Sequence, residues 1–244
     1  MIKKIYRIYL SECLGTAALV LVGLSVVIGI NGTGSPFRNW IPDDGVRRAI
    51  TGFLFGTTGC LITLSPVGKI SGAHINPIVS IAFLLKRKMS YEHTLWFILS
   101  QMTGAVIGAL PLLWWGRQGA SVGFGATIPL PGGTAAAFAG ETITSFLLIA
   151  GIFFFTGHQH HKLRRFTPYL MPPLYCCMVY AEGKISGTST NPARSFGPAV
   201  VSGLWTGYWL YWIAPLTGTF IAVGLFEMPF LWKWVIKVPK LYQH

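Results

Sequence analysis

Long apolar stretches alternate with short polar connections along the chain. A transmembrane helix needs about 20 mainly apolar residues to cross roughly 30 Å of hydrocarbon. Two apolar segments, Pro77 to Leu85 and Pro192 to Gly203, are too short to span and too apolar for solvent-exposed loops. The pattern predicts an all-α membrane protein with six transmembrane helices and these two short segments. The six predicted spans cover about 9–30, 48–67, 94–115, 134–156, 167–183 and 208–230.

The composition agrees with a membrane protein. Of the 244 residues, 52% are hydrophobic and only 11% are charged, whereas a soluble domain carries about a quarter charged residues. We therefore expect residues 1–244 to form a single membrane domain. The formal net charge of +12 does not indicate a nucleic-acid partner, because the lysines and arginines lie between apolar segments and form no long basic run.

The basic residues instead predict an orientation, since cytoplasmic loops carry an excess of lysine and arginine. With the N-terminus inside, thirteen of the nineteen fall on the cytoplasmic side and six outside. Two of those six, Lys184 and Arg194, belong to a segment that we place in the membrane. We expect a multi-pass protein of the plasma (inner) membrane with both termini in the cytoplasm.

Cysteine and histidine usage predicts neither a cofactor nor a metal site. All four cysteines lie inside apolar segments, which favours packing over a disulfide framework or metal binding. His158, His160 and His161 cluster in one connecting segment, which we interpret as a solvated loop.

A duplicated string is the most informative feature. Residues 68–77 read GKISGAHINP and residues 183–192 read GKISGTSTNP, with seven of ten positions identical. A lone Asn-Pro pair would indicate only a helix start, but the longer string recurs before a short apolar segment each time. We infer two repeats, about 1–116 and about 134–244. Glu12 and Glu141 stand at equivalent places in the first span of each repeat.

Three spans per repeat require the two copies to insert in opposite orientations, which places the functional site near the midplane at the repeat interface. Irregular backbone is tolerated at membrane depth only where protein buries it or where it lines a wet cavity. Each repeat is therefore predicted to supply a re-entrant loop and a half-helix that begins at Asn76 or Asn191. The two positive helix ends would meet near the centre of the membrane.

The chain resembles the aquaporin (major intrinsic protein) family over nearly its whole length. The matching strings are SGAHINPIVS at 71–80, SQMTGAVIG at 100–108 and NPARSFGPA at 191–199. The resemblance implies a bundle of six tilted helices and two half-helices, usually a homotetramer with one pore per subunit. It identifies two signature boxes, Asn76, Pro77 and Ile78 in the first and Asn191, Pro192 and Ala193 in the second.

Two positions depart from the family pattern. Ile78 stands where most relatives have alanine, and we expect a local packing adjustment without loss of the pore. Lys69 stands where many relatives carry histidine. Its side chain could line the cytoplasmic mouth of the pore or could be a plain surface charge, and both interpretations are open.

Passing water needs a narrow wet path with few polar groups on an apolar wall. Asn76 and Asn191 are predicted to donate amide hydrogens to one water at the midplane, which would interrupt a proton wire. His74 is interpreted as lining the cytoplasmic half of the pore, with plain packing as the alternative. The predicted ladders of carbonyl acceptors are formed by Gly72, Ala73, His74 and Ile75 in the first loop and by Gly187, Thr188, Ser189 and Thr190 in the second.

A charged residue this deep in the membrane is usually functional, and the resemblance makes Arg194 the residue of an extracellular constriction. Glu12 and Glu141 are expected to support the loops by accepting hydrogen bonds from backbone N–H groups. The resemblance, carried over by ungapped counting from Asn191, also places Val179 and Thr188 at the constriction, Val179 where water-selective relatives have a histidine. In the second span, one register selects Gly56 and a register shifted by one selects Phe55.

Water is the favoured permeant. Ser195 follows Arg194 where glycerol-conducting relatives typically carry an aspartate, and the sixth span contains the pair Tyr211-Trp212 that is typical of water channels. Glycerol or another small neutral solute is the alternative. Thr188 replaces the cysteine of mercury-sensitive relatives, so mercurials should not inhibit unless Cys176 or Cys177 reaches the pore.

Two other classes are less favoured. An ion-coupled secondary transporter could also use inverted repeats, and its flux would saturate. An intramembrane enzyme would need a converging catalytic set, which His74, Glu12 and Glu141 do not form. We therefore expect no enzymatic activity.

Overall fold

The computed structural model describes residues 2–157 and 161–228, and within them the chain is helical with no β-strand. Short 3-10 segments cover Leu110–Trp115, Gly123–Gly125 and His161–Phe166. The helices are α1 (Ile2–Asn31), α2 (Pro36–Trp40), α3 (Asp44–Leu64), α4 (Pro66–Ser71), α5 (Pro77–Leu85), α6 (Tyr91–Ala109), α7 (Gly116–Ala120), α8 (Thr134–Gly157), α9 (Thr167–Glu182), α10 (Pro192–Ser202) and α11 (Leu210–Leu225).

The six predicted spans correspond to α1, α3, α6, α8, α9 and α11, and the two short apolar segments to α5 and α10. By length and composition, Ile5–Asn31, Tyr91–Ala120 and Thr134–Gly157 could each cross a membrane. Helices α9 and α11 have only 16 residues each, which is about 24 Å at 1.5 Å per residue. Residues 229 and 230 of the last predicted span lie outside the described residues.

The second span ends three residues earlier than predicted, at Leu64. The Ser65 hydroxyl accepts a hydrogen bond from Gly68 N at 3.1 Å and so caps a new helix, α4, whose first residue is Pro66. Proline suits the first helical position and cannot continue the preceding helix. Helix α4 leads the chain into the first re-entrant loop.

Glycines allow the long helices to pack backbone against backbone. A Cβ added at Gly104 of α6 would lie 2.1 Å from the Cys13 carbonyl oxygen of α1, and one added at Gly218 of α11 would lie 2.2 Å from the Thr142 carbonyl oxygen of α8. Cys13 and Thr142 directly follow the glutamates Glu12 and Glu141. The helix pairs α1–α6 and α8–α11 therefore use the same kind of contact, as expected for small residues at membrane helix crossings.

Helices α3 and α9 also cross each other with glycine against backbone. A Cβ at Gly52 would lie 2.3 Å from the Tyr175 carbonyl oxygen, and a Cβ at Gly56 would lie 2.4 Å from that of Met171. Phe55, next to Gly56, and Tyr175 are both buried where the two helices approach.

Large apolar side chains on the outer faces of the bundle are exposed, as expected where lipid rather than water is the surrounding solvent. Examples from five helices are Leu10, Leu61, Ile107, Ile143 and Phe220.

Candidate functional site

The loops that precede α5 and α10 share an unusual backbone. Positive φ angles, which L-residues other than glycine rarely adopt, occur at three equivalent positions of each loop. Ile75 and Thr190 are also β-branched, so this backbone needs support from its surroundings. The φ angles are 86° at Gly72, 50° at Ala73, 41° at Ile75, 87° at Gly187, 48° at Thr188 and 49° at Thr190.

Two buried carboxylates provide that support. Glu12 of α1 accepts hydrogen bonds from His74 N at 2.9 Å and Ile75 N at 2.7 Å. Glu141 of α8 accepts hydrogen bonds from Ser189 N at 2.6 Å and Thr190 N at 2.8 Å. Both glutamates thus lie against the loops.

Further polar residues complete each carboxylate environment. Sequence reasoning gave no such role to Gln101 or Ser186, and it considered Tyr211 only as part of a pair that is typical of water channels. Gln101 Nε2 donates to Glu12 Oε2 at 2.7 Å. In the second repeat, the Ser186 hydroxyl donates to Glu141 Oε1 at 2.6 Å, and the Tyr211 hydroxyl donates to the Ser186 carbonyl at 2.7 Å. Gln101 lies within the string 100–108, which was the only signal available for it.

The two signature asparagines cap the half-helices and cross-link the loops. Asn76 Oδ1 accepts from Ile78 N at 3.1 Å, and Asn191 Oδ1 accepts from Ala193 N at 3.0 Å. Asn76 Nδ2 donates to the Thr190 carbonyl at 2.8 Å, and Asn191 Nδ2 donates to the Ile75 carbonyl at 2.9 Å. One hydrogen of each amide therefore holds the opposite loop, which leaves one for a passing molecule.

Two cavities lie beside these loops. The first, about 230 Å³ and here called the Asn76 cavity, is lined by both signature asparagines and by the first loop from Gly72 to Ile75. The second, about 290 Å³ and here called the Arg194 cavity, is lined by Arg194, Val179, Gly187 and Thr188. Both contain polar groups on a mainly apolar wall, and each is large enough for several water molecules.

Arg194 is buried and lies in the wall of its cavity. Its Nη1 donates to the Gly125 carbonyl at 2.8 Å, and its Cζ lies 5.8 Å from the centroid of the Phe55 ring. Among the described residues, no carboxylate lies within 4.0 Å of its guanidinium. Within this part of the chain, Arg194 is therefore not ion-paired, whereas Asp44, which also lines this cavity, is paired with Arg48.

Thr188 and Val179, the two other residues predicted at the constriction, line the same cavity. The Thr188 hydroxyl is turned to a buried carboxylate, because it donates to Glu182 Oε2 at 2.6 Å. Sequence reasoning missed Glu182, which no motif marks.

The structure places Phe55, rather than Gly56, next to Arg194. The Phe55 ring lines both cavities, whereas Gly56 borders only the Asn76 cavity and faces the α9 backbone at Met171.

Tyr175 is a cavity-lining residue that sequence reasoning missed. It lines both cavities, its ring centroid lies 5.5 Å from that of Phe55, and its hydroxyl lies 2.8 Å from Thr190 Oγ1. It stands four residues before Val179, on the same face of α9. That spacing was the only signal, because counting from the signature box selects Val179 alone.

Some of the other predicted residues line one of the two cavities, and the rest line neither. His74 lines the Asn76 cavity, with Nδ1 3.0 Å from the Ser80 hydroxyl and its ring against Phe83 and Phe97. Lys69 is exposed. The predicted or queried residues that line neither cavity are Lys69, Pro77, Ile78, Cys176, Cys177, Ser189, Pro192 and Ala193, together with Thr190, Glu12 and Glu141.

Within residues 2–157 and 161–228, no group of three or more histidine, cysteine or acidic side chains could hold a metal ion. His158 and His160 of the predicted solvated loop lie outside these residues.

Comparison with known proteins agrees with this geometry. Aquaporin-4 of Mus musculus is 31% identical over 221 residues, which cover 90% of this chain and 66% of that protein. The probable aquaporin PIP2-7 of Oryza sativa subsp. japonica is 29% identical, over 92% of this chain and 79% of that protein. This chain thus spans just under two thirds of the length of aquaporin-4.

The fold is also found among solved structures. The aquaglyceroporin from Plasmodium falciparum matches with a TM-score of 0.73 at 20% identity, covering 93% of this chain and 97% of that one. The sequence model of the major intrinsic protein family matches residues 2–226. With its paired re-entrant loops and a family match over nearly its whole length, this chain belongs to the major intrinsic protein family.

Proposed function

We propose that this protein is a passive channel that conducts water along osmotic gradients and excludes protons and ions. One observation carries the proposal: the two signature asparagines line a cavity at the junction of the loops, each with an amide hydrogen to spare. A few polar donors on an apolar wall allow water to pass in single file.

Exclusion of ions rests on three groups of positive charge. Helices α5 and α10 begin at Asn76 and Asn191, so their positive ends lie beside the pathway. The Arg194 guanidinium lies in the wall of the next cavity. A cation or a proton that travels along the water file would meet one barrier at the paired helix ends and a second barrier at Arg194.

Water is favoured over glycerol by Phe55 and Tyr175, whose rings are in contact where the two cavities adjoin. The relatives named aquaporin agree with this reading. A facilitator of glycerol or another small neutral solute is the second candidate, because Val179 and Thr188 leave the Arg194 cavity itself wide. An ion-coupled transporter and an enzyme are less favoured, since the charged groups described above hold loops in place.

The proposal includes the membrane, the orientation and the oligomeric state of the protein. The exposed apolar side chains of the bundle suit a lipid bilayer, and the excess of basic residues on one side supports the plasma (inner) membrane with both termini in the cytoplasm. The family resemblance supports a homotetramer. A single domain of two inverted repeats, about 1–116 and 134–244, accounts for the equivalent contacts at Gly104 and Gly218.

Osmotic shrinkage of proteoliposomes tests the function. Purified protein should accelerate shrinkage in a stopped-flow measurement, and the rate should rise linearly with the osmotic gradient. A rate equal to that of empty liposomes contradicts the proposal, and a rate that saturates with the gradient favours a transporter. A variant of a lipid-facing residue, Leu61→Ala, is the matched control and should conduct like the unmodified protein, because Leu61 is exposed and lines neither cavity.

A further inference from the structure

Phe55 and Tyr175 separate the Asn76 cavity from the Arg194 cavity. They are the two residues that line both cavities within the part of the chain that the structure describes. Both are buried, with 6% and 8% of their surface exposed. Their ring centroids lie 5.5 Å apart with the planes inclined by 43°, which is direct contact between aromatic rings.

The Phe55 ring has no space to withdraw behind it. A Cβ added at Gly23 of α1 would lie 2.6 Å from both Cδ2 and Cε2 of Phe55, so the ring is pressed against the α1 backbone. On its other side the ring meets Tyr175 and, at 5.8 Å, the Arg194 guanidinium.

Tyr175 is fixed by a hydrogen bond and by its backbone. Thr190 Oγ1 donates to the Ser189 carbonyl at 2.8 Å, so its single hydrogen is used and Tyr175 Oη is the donor in their 2.8 Å contact. The Tyr175 backbone packs on Gly52, where α3 and α9 are too close for a side chain. The ring is therefore held in place at both ends.

We propose that Tyr175, together with Phe55, is the size-determining residue of this pore, one helical turn nearer the paired asparagines than Val179. This inference rests on the proposed channel function. The pair sets the width of the passage, so glycerol is excluded although Val179 and Thr188 leave the Arg194 cavity wide. Bulk at position 175, and not the hydroxyl, excludes the larger solute.

The test is a stopped-flow comparison of water and glycerol permeability in proteoliposomes with equal amounts of protein. Tyr175→Val should raise glycerol permeability about tenfold or more, the scale on which small differences of fit discriminate solutes, while water permeability is kept. Tyr175→Phe should still exclude glycerol. Tyr169→Val makes the same change at an exposed position of α9 and should leave both permeabilities unchanged.

A second variant guards against a folding defect in the first. Phe55→Leu shortens the opposing side chain from another helix and should also admit glycerol. The inference is overturned if both variants conduct water with unchanged glycerol permeability, if Val179→Ala admits glycerol while Tyr175→Val does not, or if the unmodified channel already passes glycerol. If the unmodified protein conducts neither water nor glycerol, the proposed function is wrong, and this inference, which depends on it, is wrong as well.

Discussion

At the scale of single residues, two buried glutamates show how the loops keep a strained backbone. Glu12 and Glu141 are fully buried, and each accepts hydrogen bonds from two consecutive N–H groups of a re-entrant loop. The loops have no regular secondary structure to pair these groups, and an unpaired N–H buried in the membrane destabilises the fold. The carboxylates thus replace the hydrogen bonds that a continuous helix would have made.

Removing one carboxylate should therefore destabilise the protein. We expect Glu12→Ala to lower its stability by on the order of 2–5 kcal/mol, because two buried N–H groups and Gln101 lose their acceptor. Glu12→Gln keeps one acceptor oxygen and should cost less. The measurement is thermal unfolding in detergent, with Glu92→Ala, at an exposed position of α6, as control. Equal melting temperatures for Glu12→Ala and the control would refute the role.

A second prediction concerns the space behind Phe55. Gly23→Ala introduces a Cβ that would lie 2.6 Å from the Phe55 ring, so the ring must shift towards Tyr175 and narrow the passage. We expect osmotic water permeability to fall severalfold. Gly29→Ala on the same helix meets only Trp115 at an ordinary 3.6 Å and serves as control. Unchanged permeability in Gly23→Ala would show that the ring does not border the path.

At the scale of helices, glycine contacts set how closely the spans approach. The same contact occurs twice, between α1 and α6 at Gly104 and between α8 and α11 at Gly218. In a membrane, close van der Waals packing replaces much of the hydrophobic drive for helix association. These positions therefore decide the spacing of the bundle in both repeats.

The equivalence of the two contacts leads to a stability prediction. Gly104→Ala and Gly218→Ala should each destabilise the protein by about 1–3 kcal/mol, because the added methyl overlaps a backbone carbonyl. Gly59→Ala, where the nearest atom would be 3.9 Å away at Leu19, should have little effect. The comparison is made by thermal unfolding in detergent. A loss confined to one of the two contacts would contradict their equivalence.

At the scale of the whole molecule, the proposed pathway consists of two cavities in series with the contact between Phe55 and Tyr175 between them. The paired asparagines line one cavity and the Arg194 cation lines the other. In the proposed channel, a permeating molecule would meet the width limit at Phe55 and Tyr175 and the charge barrier at Arg194, which are neighbouring but different places. Because these two places differ, substitutions should be able to alter selection by solute size and exclusion of ions separately.

Replacing Arg194 should weaken the exclusion of protons without lowering water permeability. We expect Arg194→Val to raise proton leakage severalfold, because a positive charge near the path is lost, while water permeability is kept. The readout is a pH-sensitive dye inside proteoliposomes under a proton gradient, alongside osmotic shrinkage. Tyr169→Val, at an exposed position of α9, controls for handling of the protein. Proton leakage equal to that of the unmodified protein would show that Arg194 is not a barrier.

Much of the fold follows from the sequence because its signals are local. The length of an apolar run is matched to membrane thickness, and an Asn-Pro pair starts a helix wherever it occurs. The string at 68–77 and 183–192 therefore locates both half-helices, and α5 begins at the predicted Pro77. The fold class and the family are confirmed, whereas the roles of the pore residues stay predictions.

Other features depended on the tertiary structure. The sequence alone determined that two re-entrant loops meet in a bundle of six spans, since charge, apolar length and repetition can be read along the chain. It could not decide between Phe55 and Gly56 or identify Tyr175, because which side chain faces the path depends on how α3 and α9 cross. That crossing is set by backbone contacts at Gly52 and Gly56 with residues more than 100 positions away. The width of the proposed pore would thus be a property of helix packing.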